Sequence, residues 1–114
     1  MLNDDIVRLA KENTFFRKEI VTGAHSQVVL MCIPPGEEIG EETHHVDQIL
    51  VFVEGAGKTI LNSEEGSVAP ERLVFVPAGT RHNFINTGAT PLKIITAYSP
   101  PHHPPRTVNH TKPE

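Results

Sequence analysis

The chain has 114 residues, a formal net charge of -4 and 38% apolar residues, with no Trp and a single Tyr. This is the length of one small domain, residues 1–114, whose core must rest on Val, Ile, Leu and Phe. The negative charge argues against a nucleic-acid partner, which would need a basic face.

The first residues, MLNDDIVRLAKEN, are charged throughout and lack the apolar segment of a signal peptide. No stretch approaches the roughly 18 consecutive apolar residues of a membrane span. We therefore expect a cytoplasmic protein with no membrane partner. Cys32 has no second cysteine to pair with, and a buried, reduced thiol is the expected state.

A short helix is predicted at about residues 4–12, with Asn3 or Asp4 as its cap. From about residue 15 the pattern changes to short runs rich in β-branched residues, divided by Gly and Pro turns. The predicted strands are FFRKEIVTG, SQVVLMCI, QILVFV, GKTIL, RLVFVPAGT, HNFIN and LKIITAYS. NSEEGS is predicted to be a hairpin loop.

Short strands at regular spacing predict an all-β sandwich or barrel, with its core at about residues 15–98. The C-terminal arm, residues 99–114, contains five prolines. Proline removes a backbone donor, so the arm is predicted to be extended and without regular structure. It would either move freely or lie along the barrel or a partner subunit.

The segment GEETHHVDQ mixes metal-ligand residue types directly before an apolar strand. Side chains of a strand alternate between its two faces. Glu42, His44 and Gln48 therefore share one side, and His45 and Asp47 share the other. If the first set points into a barrel, it forms part of a polar site above an apolar floor.

A second candidate element is PAGTRHNFIN, in which Pro77 and Gly79 make a tight turn and His82 opens a strand. An inward His82 would reach the same cavity. One carboxylate, two imidazoles and an amide oxygen suit Fe(II), and the same ligands accept Mn, Co, Ni or Zn. Two alternatives stay open: His45 replaces His44 if the strand begins later, or the whole set is a solvated polar rim.

These spacings resemble the two motifs of the cupin superfamily. The ligand places of the first motif fall on Glu42, His44 and Gln48, between Gly36 and Gly55. The second motif is matched by Pro77, Gly79, His82 and Asn86, while Glu71 replaces its first glycine. The resemblance covers roughly residues 28–98, and it is closest to the small single-domain cupins described as mannose-6-phosphate-isomerase-like.

The resemblance implies a double-stranded β-helix, a jelly-roll barrel that is frequently a homodimer. It also implies a divalent transition metal bound by Glu42, His44, Gln48 and His82. Glu42 stands where many cupins have a histidine, and Gln48 stands where they have a glutamate. The ligand set keeps one negative charge, but the identity of the metal does not carry over.

The sequence thus predicts a small metal-binding protein, and we expect a metal-dependent enzyme, dioxygenase or isomerase-like, acting on a small polar molecule. A catalytic acid or base would come from Tyr98 or from a tail histidine such as His103. The alternative is a non-catalytic barrel that binds a sugar or carboxylate. A metal-free barrel kept for interaction or stability is a third possibility.

Overall fold

The computed structural model describes residues 1–113. Its helix, Ile6–Glu12 (α1), begins after Asp5, whose carboxylate accepts a hydrogen bond from the Arg8 amide at 3.1 Å. The predicted cap at Asn3 or Asp4 was too early, because Asp5 is the residue that satisfies a free amide of the first turn. Within the described residues, no helix is long and apolar enough to cross a membrane.

Within residues 1–113 the remaining regular structure consists of ten strands. Their bounds are Arg17–Thr22 (β1), Gln27–Ile33 (β2), Glu42–Thr43 (β3), Asp47–Glu54 (β4), Gly57–Leu61 (β5), Glu64–Val68 (β6), Leu73–Val76 (β7), Arg81–Asn86 (β8), Leu92–Ser99 (β9) and Val108–Asn109 (β10). All strand pairs are antiparallel.

The strands form two sheets, one with the order β10-β1-β2-β9-β4-β7 and the other with the order β3-β8-β5-β6. Apolar side chains at alternate positions of both sheets face each other and are buried between them. Leu50, Phe52 and Ile94 from the larger sheet meet Phe84 from the smaller one in this core. The predicted all-β barrel with a short N-terminal helix is confirmed.

Helix α1 covers part of the outer face of the larger sheet. Lys93 on β9 is buried there, and its ammonium donates to the Asn13 carbonyl at 2.6 Å. Cys32, opposite Lys93 in the β2–β9 register, is buried and free. Burial raises the pKa of the Cys32 thiol, so it remains protonated and packs as a small apolar group.

The loop predicted for NSEEGS was wrong in its extent. Only Asn62 and Ser63 form the turn, and β6 begins at Glu64. Asn62 has a φ of 55°, a left-handed conformation that asparagine tolerates. Strand β6 lies at a sheet edge and is mostly exposed, so it carries no apolar alternation for sequence reasoning to detect.

The C-terminal arm was predicted to lack regular structure, and this was also wrong in part. Strand β10 pairs with β1, with Arg17 opposite Asn109 and Lys18 opposite Val108. The prolines of the arm lie at positions 100, 101, 104, 105 and 113. Residues 106–112, between the last two prolines, keep their backbone N–H donors and can therefore pair with the edge of a sheet.

A pair of glycines in the smaller sheet tests how tightly the sheet is packed. A Cβ at Gly57 would lie 2.4 Å from the Ile85 carbonyl oxygen, whereas a Cβ at Gly66 would meet only the Thr59 methyl at 3.6 Å. We predict that Gly57→Ala lowers the free energy of unfolding by about 1–3 kcal/mol, and that Gly66→Ala changes it much less. Urea denaturation measures both, and equal losses would contradict this packing.

Candidate metal centre

Three potential ligands meet at one end of the barrel. Glu42 on β3 lies directly opposite His82 on β8, and His44 follows β3 by one residue. The ligand atoms of these three side chains all lie within 4.8 Å of one another, with Glu42 Oε1 3.8 Å from His44 Nε2. Ligands around one ion at about 2.0–2.2 Å stand up to roughly 4.4 Å apart, so small side-chain rotations would bring them into coordination.

The loop that carries His44 is held against the turn before β8. The Gly79 amide donates to the His44 carbonyl at 2.8 Å. The Ala78 amide donates to the Asp47 carboxylate at 2.9 Å. Asp47 therefore stabilises the loop, and His45, its neighbour on the predicted outward side, is exposed.

The hydrogen bond of His82 fixes which of its ring nitrogens is available. His82 Nδ1 lies 2.9 Å from the Thr80 carbonyl oxygen. A carbonyl oxygen can only accept, so Nδ1 carries a proton, and in the neutral imidazole Nε2 then has the lone pair. Metal-binding histidines commonly have such a partner, which orients the ring and raises its basicity.

Gln48, the fourth predicted ligand, lies on β4 and is 3% exposed. Its Nε2 donates to the Tyr98 hydroxyl at 3.3 Å. Its Oε1 is buried and has no hydrogen-bond partner among residues 1–113. A buried carbonyl oxygen without a partner is costly, and a metal ion or its bound water would satisfy it. Glu42, His44 and His82 thus form a possible site for a divalent metal, and the role of Gln48 as a fourth, neutral oxygen ligand stays a prediction.

Burial sets the protonation of this cluster. It lowers the pKa of His44 to about 4, with His102 and then His82 as further causes. It raises the pKa of Glu42, against the opposing charge of Arg17. At neutral pH the His44 imidazole is therefore uncharged, the form in which it can donate a lone pair to a metal.

The C-terminal arm folds back over the mouth of the site. His102 lies against His44, with ring centroids 4.1 Å apart, and His103 lies against Tyr98 at 5.2 Å. Tyr98 and His103 were the predicted catalytic candidates, and that role stays a prediction. His102 approaches the metal cluster more closely than sequence reasoning indicated, because the fold of the arm could not be read from its prolines.

Gln27 holds the arm in this position, and sequence reasoning missed it. Its Oε1 accepts from the amides of His102 at 3.2 Å and His103 at 3.0 Å, and its Nε2 donates to the His103 carbonyl at 2.7 Å. Thr22 Oγ1 is a further acceptor for Nε2 at 2.9 Å. The only signal in the sequence was that Gln27 is a lone polar residue before the apolar run VVLMCI. It lies two residues before Val29, so the two side chains share one face of the strand.

Residues 29–98 match the family model described as Cupin domain. The match covers more than half of the chain, so the chain belongs to the cupin family. It is 46% identical, over 95% of its length, to the uncharacterized protein YrkC of Bacillus subtilis (strain 168), and it spans 62% of that protein.

Solved structures agree with this assignment. The crystal structure of BH2720 from Bacillus halodurans matches with a TM-score of 0.96 and 41% identity, over 97% of this chain and 89% of that one. The crystal structure of TT1209 from Thermus thermophilus matches with a TM-score of 0.77 and 25% identity, over 88% of this chain and 98% of that one. The cupin β-barrel is therefore the fold of this chain.

The half-buried histidines His44 and His103 predict an acid-sensitive metal-free protein. Burial lowers the pKa of His103 to about 3, from an ordinary 6.5. Below pH 6.5 the unfolded chain binds more protons than the folded one, so the free energy of unfolding falls as pH drops towards 3. We expect the Tm in EDTA to fall between pH 7 and 4.5, and His103→Gln to reduce that fall.

The exposed His45 provides the matched control. His45→Gln removes an imidazole that is not buried, so its Tm should follow that of the wild type across the same pH range. If His103→Gln and His45→Gln give the same slope of Tm against pH, burial of His103 does not cause the acid sensitivity.

Proposed function

We propose that this cupin is a metal-dependent enzyme acting on a small polar molecule. The observation that carries the proposal is the convergence of Glu42, His44 and His82, with ligand atoms within 4.8 Å of one another. The buried, unpartnered Oε1 of Gln48 supports it. Two histidines and a carboxylate that leave coordination positions open are typical of catalytic rather than purely structural metal sites.

These ligands suit Fe(II), Mn, Co, Ni or Zn. When bound, such an ion would supply Lewis acidity towards a substrate oxygen or, if it is iron, the reactivity towards dioxygen on which a dioxygenase-like reaction depends. Glu42 contributes one negative charge, and the imidazoles and the amide are neutral. A divalent ion in this set therefore retains net positive charge and attracts anionic or strongly polar oxygens.

Tyr98 is the best placed of the chain's own proton donors. It is buried, and burial raises the pKa of its phenol to about 12. Its hydroxyl accepts from Gln48 Nε2 and has the Thr96 side chain as a second hydrogen-bonding neighbour. In this proposal the Tyr98 hydroxyl would donate a hydrogen bond to a substrate oxygen, or transfer its proton to that oxygen as a general acid. His103, kept neutral by burial, would accept or donate one at its Nε2.

The proposal is tested by metal analysis of tag-free protein. We predict that His82→Ala reduces bound transition metal, after reconstitution with Fe(II), Mn, Co, Ni and Zn, to below about 0.1 equivalent per chain. The reason is that it removes one of the three converging ligands. His45→Ala, in the same polar segment but exposed, should keep the wild-type metal content.

Two results would contradict the site as assigned: equal metal content in the two variants, or no metal in the reconstituted wild type. A non-catalytic sugar- or carboxylate-binding barrel is the alternative. It predicts retained metal or ligand binding but no turnover in a substrate screen that includes dioxygen consumption.

We further propose that the protein is a homodimer. A row of apolar side chains crosses the outer face of the larger sheet, and the strand registers place its members side by side. The row consists of Val21, Val28, Ala97, Ile49 and Phe75. Phe75 is 47% exposed and Ile49 is 37% exposed. A second copy related by a two-fold axis would cover this row with its own.

The mass in solution tests this interface. We predict that Phe75→Asp shifts the protein from a dimer to a 12.6 kDa monomer, because it places a charge inside an apolar interface. Val108→Asp, at a similarly exposed valine on the opposite edge strand β10, should leave the dimer intact. Light scattering after size-exclusion chromatography measures both, and a monomeric wild type would refute the dimer.

A further inference from the structure

A cavity of about 240 Å³ lies beside the candidate metal centre and shares one residue with it. Its wall includes Phe16, Arg17, Ile39, Glu42, His103 and Lys112. Glu42 is the shared residue, so a molecule in this cavity would lie next to the metal ligands. Pockets for drug-sized ligands commonly measure about 300–1,000 Å³. The cavity therefore suits a molecule of a few carbon atoms rather than a nucleotide.

Arg17 contributes a partly buried cation to this cavity. It lies on β1 opposite Met31 of the core, which places its side chain on the inner face of the sheet. Its Nη1 donates to Asn109 Oδ1 at 2.9 Å, and its guanidinium carbon lies 5.2 Å from the centre of the Phe16 ring. The guanidinium of Arg17 thus has Asn109 and Phe16 as neighbours on two sides.

Two buried nitrogens in the wall of this cavity have no partner. Arg17 Nε and His103 Nε2 are both inaccessible to solvent and make no hydrogen bond within residues 1–113. Leaving a buried donor unsatisfied destabilises the protein. A bound molecule reaches these atoms only after a small shift of the two side chains; its acceptor oxygens would then satisfy Arg17 Nε, and His103 can donate or accept according to its tautomer.

The charges of the cavity favour an anion. Glu42 is the only acid among the lining residues, whereas Arg17 and Lys112 are two cations. The lining therefore keeps a net positive charge without a metal, and neither cation belongs to an ion pair within residues 1–113. The protein as a whole carries a net charge of -4, so this concentration of positive charge is local to the site.

We propose that this cavity binds the oxyanion of a small substrate, a carboxylate or a phosphate. The guanidinium fork of Arg17 receives the oxyanion, and Lys112 adds a second cation. A neighbouring oxygen of the same molecule reaches the metal centre beside Glu42. This last contact rests on the proposed metal-dependent function, whereas the oxyanion contact does not.

Calorimetric titration with malonate, inorganic phosphate and glycerol tests the proposal, on both metal-loaded and EDTA-treated protein. We expect malonate or phosphate to bind and uncharged glycerol not to bind. Arg17→Gln should weaken the binding of the anion about tenfold or more, because it removes the charge and the fork. Arg17→Lys keeps the charge but loses the fork, and should give a smaller loss.

Lys18→Gln is the matched control. Lys18 is the neighbour of Arg17 on β1, is exposed and faces the opposite side of the strand. The substitution removes the same charge without touching the cavity, so anion affinity should stay within about twofold of wild type. Lys112→Met, near the C-terminus and exposed, provides a second cavity variant that does not depend on the folding of β1, and it should also weaken binding.

The outcomes separate this proposal from the metal proposal. Anion binding to EDTA-treated protein that depends on Arg17 supports the cavity, even if the protein fails to bind metal. Stoichiometric metal without malonate or phosphate binding overturns the cavity proposal and leaves the metal site standing. Equal affinities in Arg17→Gln and Lys18→Gln, or in Lys112→Met and wild type, would also overturn it, as would glycerol binding as tightly as the anions.

Discussion

The candidate site depends on the antiparallel register between β3 and β8, which sets Glu42 opposite His82. Strand β3 contains only two residues, too few to repay the conformational entropy that their ordering costs. The hydrogen bonds from Gly79 to the His44 carbonyl and from Ala78 to the Asp47 carboxylate provide the missing support. Asp47, which strand alternation placed outside the ligand set, therefore helps to hold the ligands in place.

Much of this arrangement could be predicted because it is local. Alternation along a strand places Glu42 and Gln48 on one side and His45 on the other, and the turn at Gly79 leads directly to His82. Such inferences require only neighbouring residues and the geometry of a pleated strand. Residues 44–46 lie between two strands, and tertiary hydrogen bonds from the turn before β8 support this loop.

The part that could not be predicted comes from contacts between distant segments. Arg17 and Gln27 read as ordinary members of two strands, and nothing nearby in the sequence marks them. Their roles depend on residues 92 and 76 positions away, at Asn109 and His103. The return of the arm rests on a two-residue strand between prolines, a signal too short to distinguish from a loop. Strand β6 was mistaken for a loop for a different reason: it is an exposed edge strand without apolar alternation.

Burial has opposite effects on the two kinds of ligand in the site. It removes the proton from His44 at neutral pH, and it raises the pKa of Glu42 by making the carboxylate costly. A bound cation would reverse only the second effect, because it compensates the carboxylate and uses the free lone pair of the imidazole. His44 is therefore already in the uncharged form that binds a metal, whereas Glu42 is the ligand that the positive charge of a metal would stabilise most.

The C-terminal arm contacts both the mouth of the candidate metal site and the adjoining cavity. Gln27 holds its backbone beside Tyr98, while Asn109 on the same arm binds the guanidinium of Arg17. One segment therefore covers the imidazoles of the mouth and orients the cation of the adjoining cavity. Both contacts are made by strands of the larger sheet, Gln27 on β2 and Arg17 on β1, so the sheet anchors the arm at two points. The barrel fixes the ligands, whereas the arm shapes the space in which a substrate would meet them.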